Sequence, residues 1–204
     1  MTARDILLKG RKASLQGDDE AKKKKAIRIA ALQPPTEITG NRKVWRLLGK
    51  KHRDHGLPAV IEEGRSKEWW LNGKLHRADG PAIESPYSLS WYWEGELHRD
   101  GDKPAFEHKN GRKEYLIHGK HHRVGDRPAI VSSEGEEYYK DDVLHRLGDQ
   151  PAYVMKSGHL EYWEYGKKHR VKGPAVTNTD GTQEFWLEGI EYTYSDWKNQ
   201  ADLL

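Results

Sequence analysis

The sequence predicts an all-β protein: an elongated, twisted antiparallel sheet or solenoid of six to seven stacked β-hairpins, with a basic helical arm before it and a short helix after it. Three observations predict it. A His-Arg pair recurs at steps of 22–24 residues, always with a Pro-Ala pair and an aromatic residue in company. The residue after each Pro-Ala is apolar and β-favouring, and a turn signal follows it. Only 35% of the residues are hydrophobic, yet they include eight Trp and ten Tyr. With 33% charged residues the composition borders on that of disordered chains. A net charge of only +3 and the many large rings argue instead for a thin, aromatic core.

The repetition is regular in its details. His-Arg stands at His52-Arg53, His76-Arg77, His98-Arg99, His122-Arg123, His145-Arg146 and His169-Arg170. Pro-Ala follows five or six residues after each His. Seven residues before each His is an aromatic: Trp45, Trp69, Trp91, Tyr115, Tyr138 or Tyr162. Three residues before it is Gly, replaced once by Asp142. A seventh copy, Phe185-Trp186-Leu187-Glu188-Gly189, lacks both His-Arg and Pro-Ala, as suits a terminal repeat with one face to solvent.

The elements follow in order. Residues 1–44 carry 11 Lys/Arg against 5 Asp/Glu, whereas the remainder is net negative. Asp18-Asp19-Glu20 precedes Ala21–Leu32, an order of charge that suits a helix dipole, and Pro34-Pro35 stops that helix. An earlier helix is expected over Ala3–Lys9. In each repeat, Pro is tolerated at the start of the first strand. Asn110-Gly111, Glu134-Gly135, Ser157-Gly158 and Asp180-Gly181 read as turns, and the Asn-Gly and Asp-Gly pairs suit a hairpin turn of type I′. A second strand carries the aromatics, as in Lys67–Leu71, and ends at the Gly before His, which makes a second turn. One repeat is thus one hairpin of about 23 residues, stable only beside its neighbours. After the seventh copy, Ser195 is expected to cap a helix over Asp196–Leu203 anchored by Trp197. The segments are a basic arm (1–44), a hairpin array (45–194) and a C-terminal capping helix (195–204).

One repeat reads Trp69-Trp70-Leu71-Asn72-Gly73-Lys74-Leu75-His76-Arg77-Ala78-Asp79-Gly80-Pro81-Ala82. It resembles the MORN-like hairpin repeats, in the His-Arg-x-x-Gly-Pro-Ala subtype similar to arrays encoded by bacteriophages, large DNA viruses and some bacteria. The resemblance covers about three quarters of the chain. It implies scaffolding, protein binding or, in the eukaryotic branch, membrane-lipid contact, and a phage structural or host-interference role.

Enzymatic chemistry is not expected. No Gly-x-Ser-x-Gly elbow, P-loop or His-Glu-x-x-His occurs, and identical groups spread along repeats do not make one asymmetric catalytic cluster. Cys is absent, which removes disulfides and thiolate metal sites. His118 and His121 could hold a divalent metal, but no further ligands stand at suitable spacing, so no metal or cofactor is expected. The His-Arg row has two readings. Each Arg could lie over a repeat aromatic while each His caps a turn carbonyl, with the corner acids Asp54, Asp79, Asp100, Asp102, Asp126 and Asp149 neutralising the Arg. Alternatively the row could hold phosphates, one per hairpin. The first is preferred, because a group in every repeat is one every repeat needs to fold. The expected function is therefore that of an interaction protein binding a protein partner through positions that vary between repeats, Trp93, His108 and Tyr165 foremost. Lys22, Lys23, Lys24, Lys25 and Arg28 form a basic stripe. It reads either as a solvated face packed on the first hairpin or as a docking arm for nucleic acid or another anionic partner. Homo-oligomers could form through open sheet edges. With no membrane span and no secretory signal, the expected location is the cytoplasm, or for a viral protein the host cytoplasm or virion.

Overall fold

A computed structural model describes residues 19–26, 28, 29 and 32–203. The architecture is all-β, with antiparallel strands paired in chain order and helical segments near both ends. Two compact units divide it, Met1–Pro86 and Tyr87–Leu204. In the first, five strands pair successively: Glu37–Thr39, Arg42–Val44, Val60–Glu62, Ser66–Glu68 and Ile83–Glu84. The sheet therefore starts ahead of the first aromatic-to-Pro-Ala repeat, with a hairpin over 37–44. In the second unit ten strands do the same, from Ser88–Ser90 to Ile190–Tyr192.

Each repeat contains two hairpins rather than the single one expected. A small hairpin of two-residue strands precedes every His-Arg, for example Trp70–Leu71 with Lys74–Leu75, or Trp163–Glu164 with Lys167–Lys168. The chain bends where the sequence suggested one continuous strand, at the repeat aromatic. Trp69 donates its N–H to the Ala82 carbonyl in the main sheet (2.8 Å), and its own carbonyl accepts from the His76 N–H at the base of the small hairpin (3.0 Å). The other five repeat aromatics bond in the same way, so each serves both ladders. The seventh copy has no Pro-Ala after it and runs straight through Phe185 as one strand, Gln183–Leu187.

Side chains alternate between the two faces of a strand, and the register puts different chemistry on each. In the second unit Phe106, Glu114, Ile130, Glu137, Tyr153, Glu161, Val176 and Glu184 lie opposite one another in succession, apolar and carboxylate alternating strand by strand. Along the other face the repeat aromatics alternate with the Ala of Pro-Ala. All six of these alanines are completely buried. Val44, Val60, Ile130 and Val176 are buried on the opposite face, so this polar sequence builds its core from small side chains on both sides of the sheet.

The turns are exchanged relative to expectation. Type I′ geometry, with positive φ at both centres, is found at the tips of the small hairpins: Asn72 (+52°) with Gly73 (+86°), and Tyr165 (+48°) with Gly166 (+79°). At Asn110-Gly111 only Gly111 is left-handed (+93°). Its N–H donates to the His108 carbonyl (2.9 Å), and the His108 N–H donates to the Arg112 carbonyl (2.9 Å), the longer hairpin loop with one extra residue. At Glu134-Gly135 the loop is centred on Ser133-Glu134, with the Ser132 N–H donating to the Gly135 carbonyl (2.9 Å), so Gly135 is not a turn centre. Gly135 lies in a strand opposite Met155, where a Cβ would sit 2.1 Å from the Val154 carbonyl oxygen.

Helical residues flank the array at both ends, and the edge strand Glu37–Thr39 stays exposed. Residues 19–26, 28, 29 and 32 are helical, and Gln33 beyond them accepts a hydrogen bond from the Trp45 indole (3.1 Å). The Trp69 indole makes the same bond to Gly56, in the corner of the repeat before it (2.8 Å). Gln33 thus stands in for the corner of a repeat that does not exist. The helix expected over Ala3–Lys9 lies outside the described residues. At the other end the helix is Tyr194–Ala201, starting earlier than expected because Thr193 caps it rather than Ser195. Thr193 is extended and its hydroxyl accepts the Asp196 N–H (3.3 Å), whereas Ser195 is already helical. Trp197 is buried as expected, 4.9 Å from the Phe185 ring, and donates to the Arg170 carbonyl (3.0 Å). No helix among the described residues is long and apolar enough to cross a membrane.

Candidate interaction surface

The six repeat arginines are all engaged. Each guanidinium lies over the aromatic of its own repeat at 3.6–3.9 Å from the ring centroid, from Arg53 on Trp45 to Arg170 on Tyr162. Each also donates through Nη1 to the carbonyl of its own Pro, at 3.1–3.2 Å. Corner acids complete the arrangement. Asp102 accepts from Arg123 (2.7 Å), Asp126 from Arg146 (2.7 Å) and Asp149 from Arg170 (2.8 Å), each from the repeat before, while Asp79 serves Arg77 (3.1 Å). The hydrogen bond from its arginine holds each of Asp102, Asp126 and Asp149 below the usual carboxylate range. Asp102 takes a second arginine, Arg127. The groove of about 340 Å³ beside Arg123, Arg127, Tyr138 and Arg146 is accordingly lined by arginines already committed to carbonyls and carboxylates. Asp54 and Asp100 pair instead with His52 (2.9 Å) and His98 (3.2 Å).

The histidines work differently from the carbonyl caps expected. Nδ1 of His52, His98, His145 and His169 accepts the backbone N–H of a small-hairpin tip in the following repeat: Asn72, His118, Tyr165 and Glu188, each at 3.1 Å. An accepting Nδ1 places the ring proton on Nε2, which in His52 points to Asp54. The tip side chain can also lie over the histidine beneath it. Tyr165 is 4.3 Å from His145 and His118 is 4.5 Å from His98.

Each of these four histidines is therefore a pedestal, and what it holds up varies. The tips are Leu48, Asn72, Glu94, His118, Asp141, Tyr165 and Glu188, all left-handed although none is Gly. For branched or bulky side chains this conformation is strained by about 1–2 kcal/mol. Exposed apolar side chains gather on the same small hairpins: Leu47, Leu48 and Leu71 in the first unit, and Trp93, Ile117, Val143, Tyr165 and Ile190 in the second. No protein-family model matches this chain, and no curated protein matches it.

The structure brings some of the expected binding residues together and separates others. Trp93 and Tyr165 are both exposed on small hairpins of the second unit, 44% and 64% accessible. His108 is on a main-sheet strand, half-buried against Phe106, with Nδ1 accepting the Asn110 N–H, so it serves its own turn. Lys22–Lys25 and Arg28 are exposed on the helical segment, Lys24 paired with Glu20 at 3.2 Å. Ile117, Val143 and Ile190 went unremarked in the sequence; Ile117 stands two residues before its tip Gly, as Leu71 and Trp93 do, whereas Val143 and Ile190 stand one residue after the tip position, and these two recurring places are the signal that finds them.

His118 and His121 do not converge. His118 is stacked on His98 and lies 3.4 Å from Glu96. His121 stands between Glu114 (3.2 Å) and Asp142 (3.0 Å), with the Tyr139 ring at 5.4 Å. The bond to Glu114 raises the imidazole above its ordinary range, and the bond to His121 lowers the Glu114 carboxyl. Burial, with Glu137 nearby, pushes Tyr139 up to about 12. No group of three or more metal-binding side chains occurs among the described residues.

Proposed function

We propose that this protein is a non-enzymatic interaction platform of the MORN-like repeat kind, binding a protein partner through the row of small hairpins. The observation that carries this reading is the gathering of exposed apolar side chains on those hairpins, above a framework whose arginines and histidines are already bonded. Single exposed apolar residues are ordinary on a protein surface, but a repeated row of them marks contact surfaces. A rigid, repeated framework with variable projecting residues suits recognition by the sum of many small contacts. The protein acts in the cytoplasm on this reading, and the motif's resemblance to phage and viral arrays supports a phage structural or host-interference role. Affinity capture from the native source tests it. Trp93→Ala with Tyr165→Ala should abolish recovery of the partner, and Lys109→Ala should not. Recovery that ignores all of these substitutions would sink the platform reading.

A second reading rests on the exposed Lys22–Lys25 and Arg28 stripe, which would track a phosphate backbone. It predicts DNA or RNA binding that falls steeply with salt and is lost when the four lysines become Glu. Binding that is indifferent to salt eliminates it.

A further inference from the structure

We propose that the basic helical segment of one copy docks on the last three small hairpins of a second copy, so that the chain recognises itself. This names the partner for the platform described above and rests on that reading for its binding face. Val143, Tyr165 and Ile190 stand exposed on those three consecutive hairpins, at 39%, 64% and 58%. The same hairpins carry five carboxylates against three lysines. Much of that charge is already shared, Glu188 with Lys167 (3.3 Å) and His169 (3.0 Å), Asp141 with His122 (3.0 Å) and Asp142 with His121 (3.0 Å), yet carboxylates still outnumber lysines around an apolar line.

The helical segment is its complement. Lys22–Lys25 and Arg28 are exposed, and so are Ile29 and Leu32, one turn apart at the same end. A basic stretch followed by two apolar anchors matches a surface of apolar side chains among acids. The lengths agree as well. From residue 19 to residue 32, the described helical positions at 1.5 Å per residue cover about 20 Å. Three consecutive hairpins are two repeats apart end to end, and at two strands per repeat that is also about 20 Å. Charge over the chain points the same way: residues 1–44 hold 11 basic and 5 acidic side chains, residues 87–204 hold 16 and 21. Such complementarity speeds encounter and sets orientation, and it weakens with salt. An interface of one short helix lies at the small, transient end of the range.

Sedimentation equilibrium of the full chain tests this. The wild type should associate with rising concentration, and less so at high salt. An arm-reversed variant (Lys22→Glu, Lys23→Glu, Lys24→Glu, Lys25→Glu) and a ridge-reversed variant (Glu164→Lys, Glu188→Lys) should each lose at least about tenfold in dissociation constant, about 1.4 kcal/mol. Mixed in equal amounts, the two should associate again, because acidic arm then meets basic ridge. Leu32→Asp, at a site 84% exposed, is the variant to use if charge reversal disturbs folding, and should weaken association likewise. A wild type that stays monomeric at every concentration overturns the proposal, as does association that neither reversal alters. If a monomeric chain still captures a different protein in a Tyr165-dependent way, self-docking has failed and the platform has not.

Discussion

At the base of each of the six small hairpins that precede a His-Arg pair stands the same arginine, over the same kind of ring, bonded to the same carbonyl. At the tips the copies carry Leu48, Asn72, Glu94, His118, Asp141, Tyr165 and Glu188, in a conformation that most of these residues adopt at a cost. Base and tip are only a few residues apart, yet one is uniform and enclosed while the other is diverse and open. The base makes interactions that every repeat needs in order to stack. At four tips the backbone N–H rests on the histidine beneath, while the side chain differs from copy to copy, from the Tyr165 ring over His145 to the Asp141 carboxylate beside His122. The array thus separates stability from recognition residue by residue.

That separation can be broken from the base. Trp69→Ala removes a buried ring, the platform for Arg77 and the indole bond to Gly56, and should cost about 3–5 kcal/mol in denaturant unfolding. Arg146→Ala should cost less, about 2 kcal/mol, because the ring contact and the Pro151 bond are sheltered while the Asp126 partner is exposed. A loss within error for either would mean that the base is not what holds the repeats together.

At the tip the expected sign reverses. Leu48→Asn places a residue that tolerates positive φ where Leu now sits at +49° and 95% exposed, and should stabilise by roughly 1 kcal/mol in thermal unfolding. Destabilisation there would show that the Leu48 side chain serves the fold after all.

His121 sharpens the comparison, since it occupies a place filled by Leu75, Leu97 and Leu144 in other repeats. Its pKa is raised by Glu114 and Asp142, so its contribution is fully present below its ordinary 6.5 and is lost as pH rises through the folded value. Glu114 is lowered, so its contribution is present above its ordinary 4.5 and is lost as pH falls through the folded value. The wild type's advantage over His121→Leu should therefore be greatest between these two values and shrink above them. Melts across pH measure it, and an advantage that grows with pH contradicts the assignment. At the small end, Lys109→Ala at an exposed turn should change stability by less than about 0.5 kcal/mol.

The repeats, their period and the Arg-on-ring pairing were legible before any coordinates, because each rests on residues at constant spacing. The division of each repeat into two hairpins was not. It depends on Trp69 and its equivalents bonding to a Pro-Ala segment thirteen or fourteen residues ahead as well as to the nearby His, and nothing in a run such as Lys67–Leu71 marks a bend. The I′ turns were misplaced for a related reason. Asn110-Gly111 has the favoured residues, but its three-residue loop satisfies them with one left-handed position. Leu48 and Tyr165 look like poor turn formers and are forced into that role by the short strands that flank them. The closure of the first repeat by Gln33 needed the equivalence with Gly56, which only the paired indole bonds reveal.

By itself the sequence determined what recurs: rings, arginines, histidines and small residues at set intervals, hence strands and a stacked array. These are local matters, encoded in the preferences and chemistry of neighbouring residues. The tertiary structure alone decided which of them became core. The alanine of Pro-Ala is too small to signal burial, and it is buried completely because the adjoining strand lays a ring across it. Burial is a property of what lies alongside, and what lies alongside is settled only when the strands have paired.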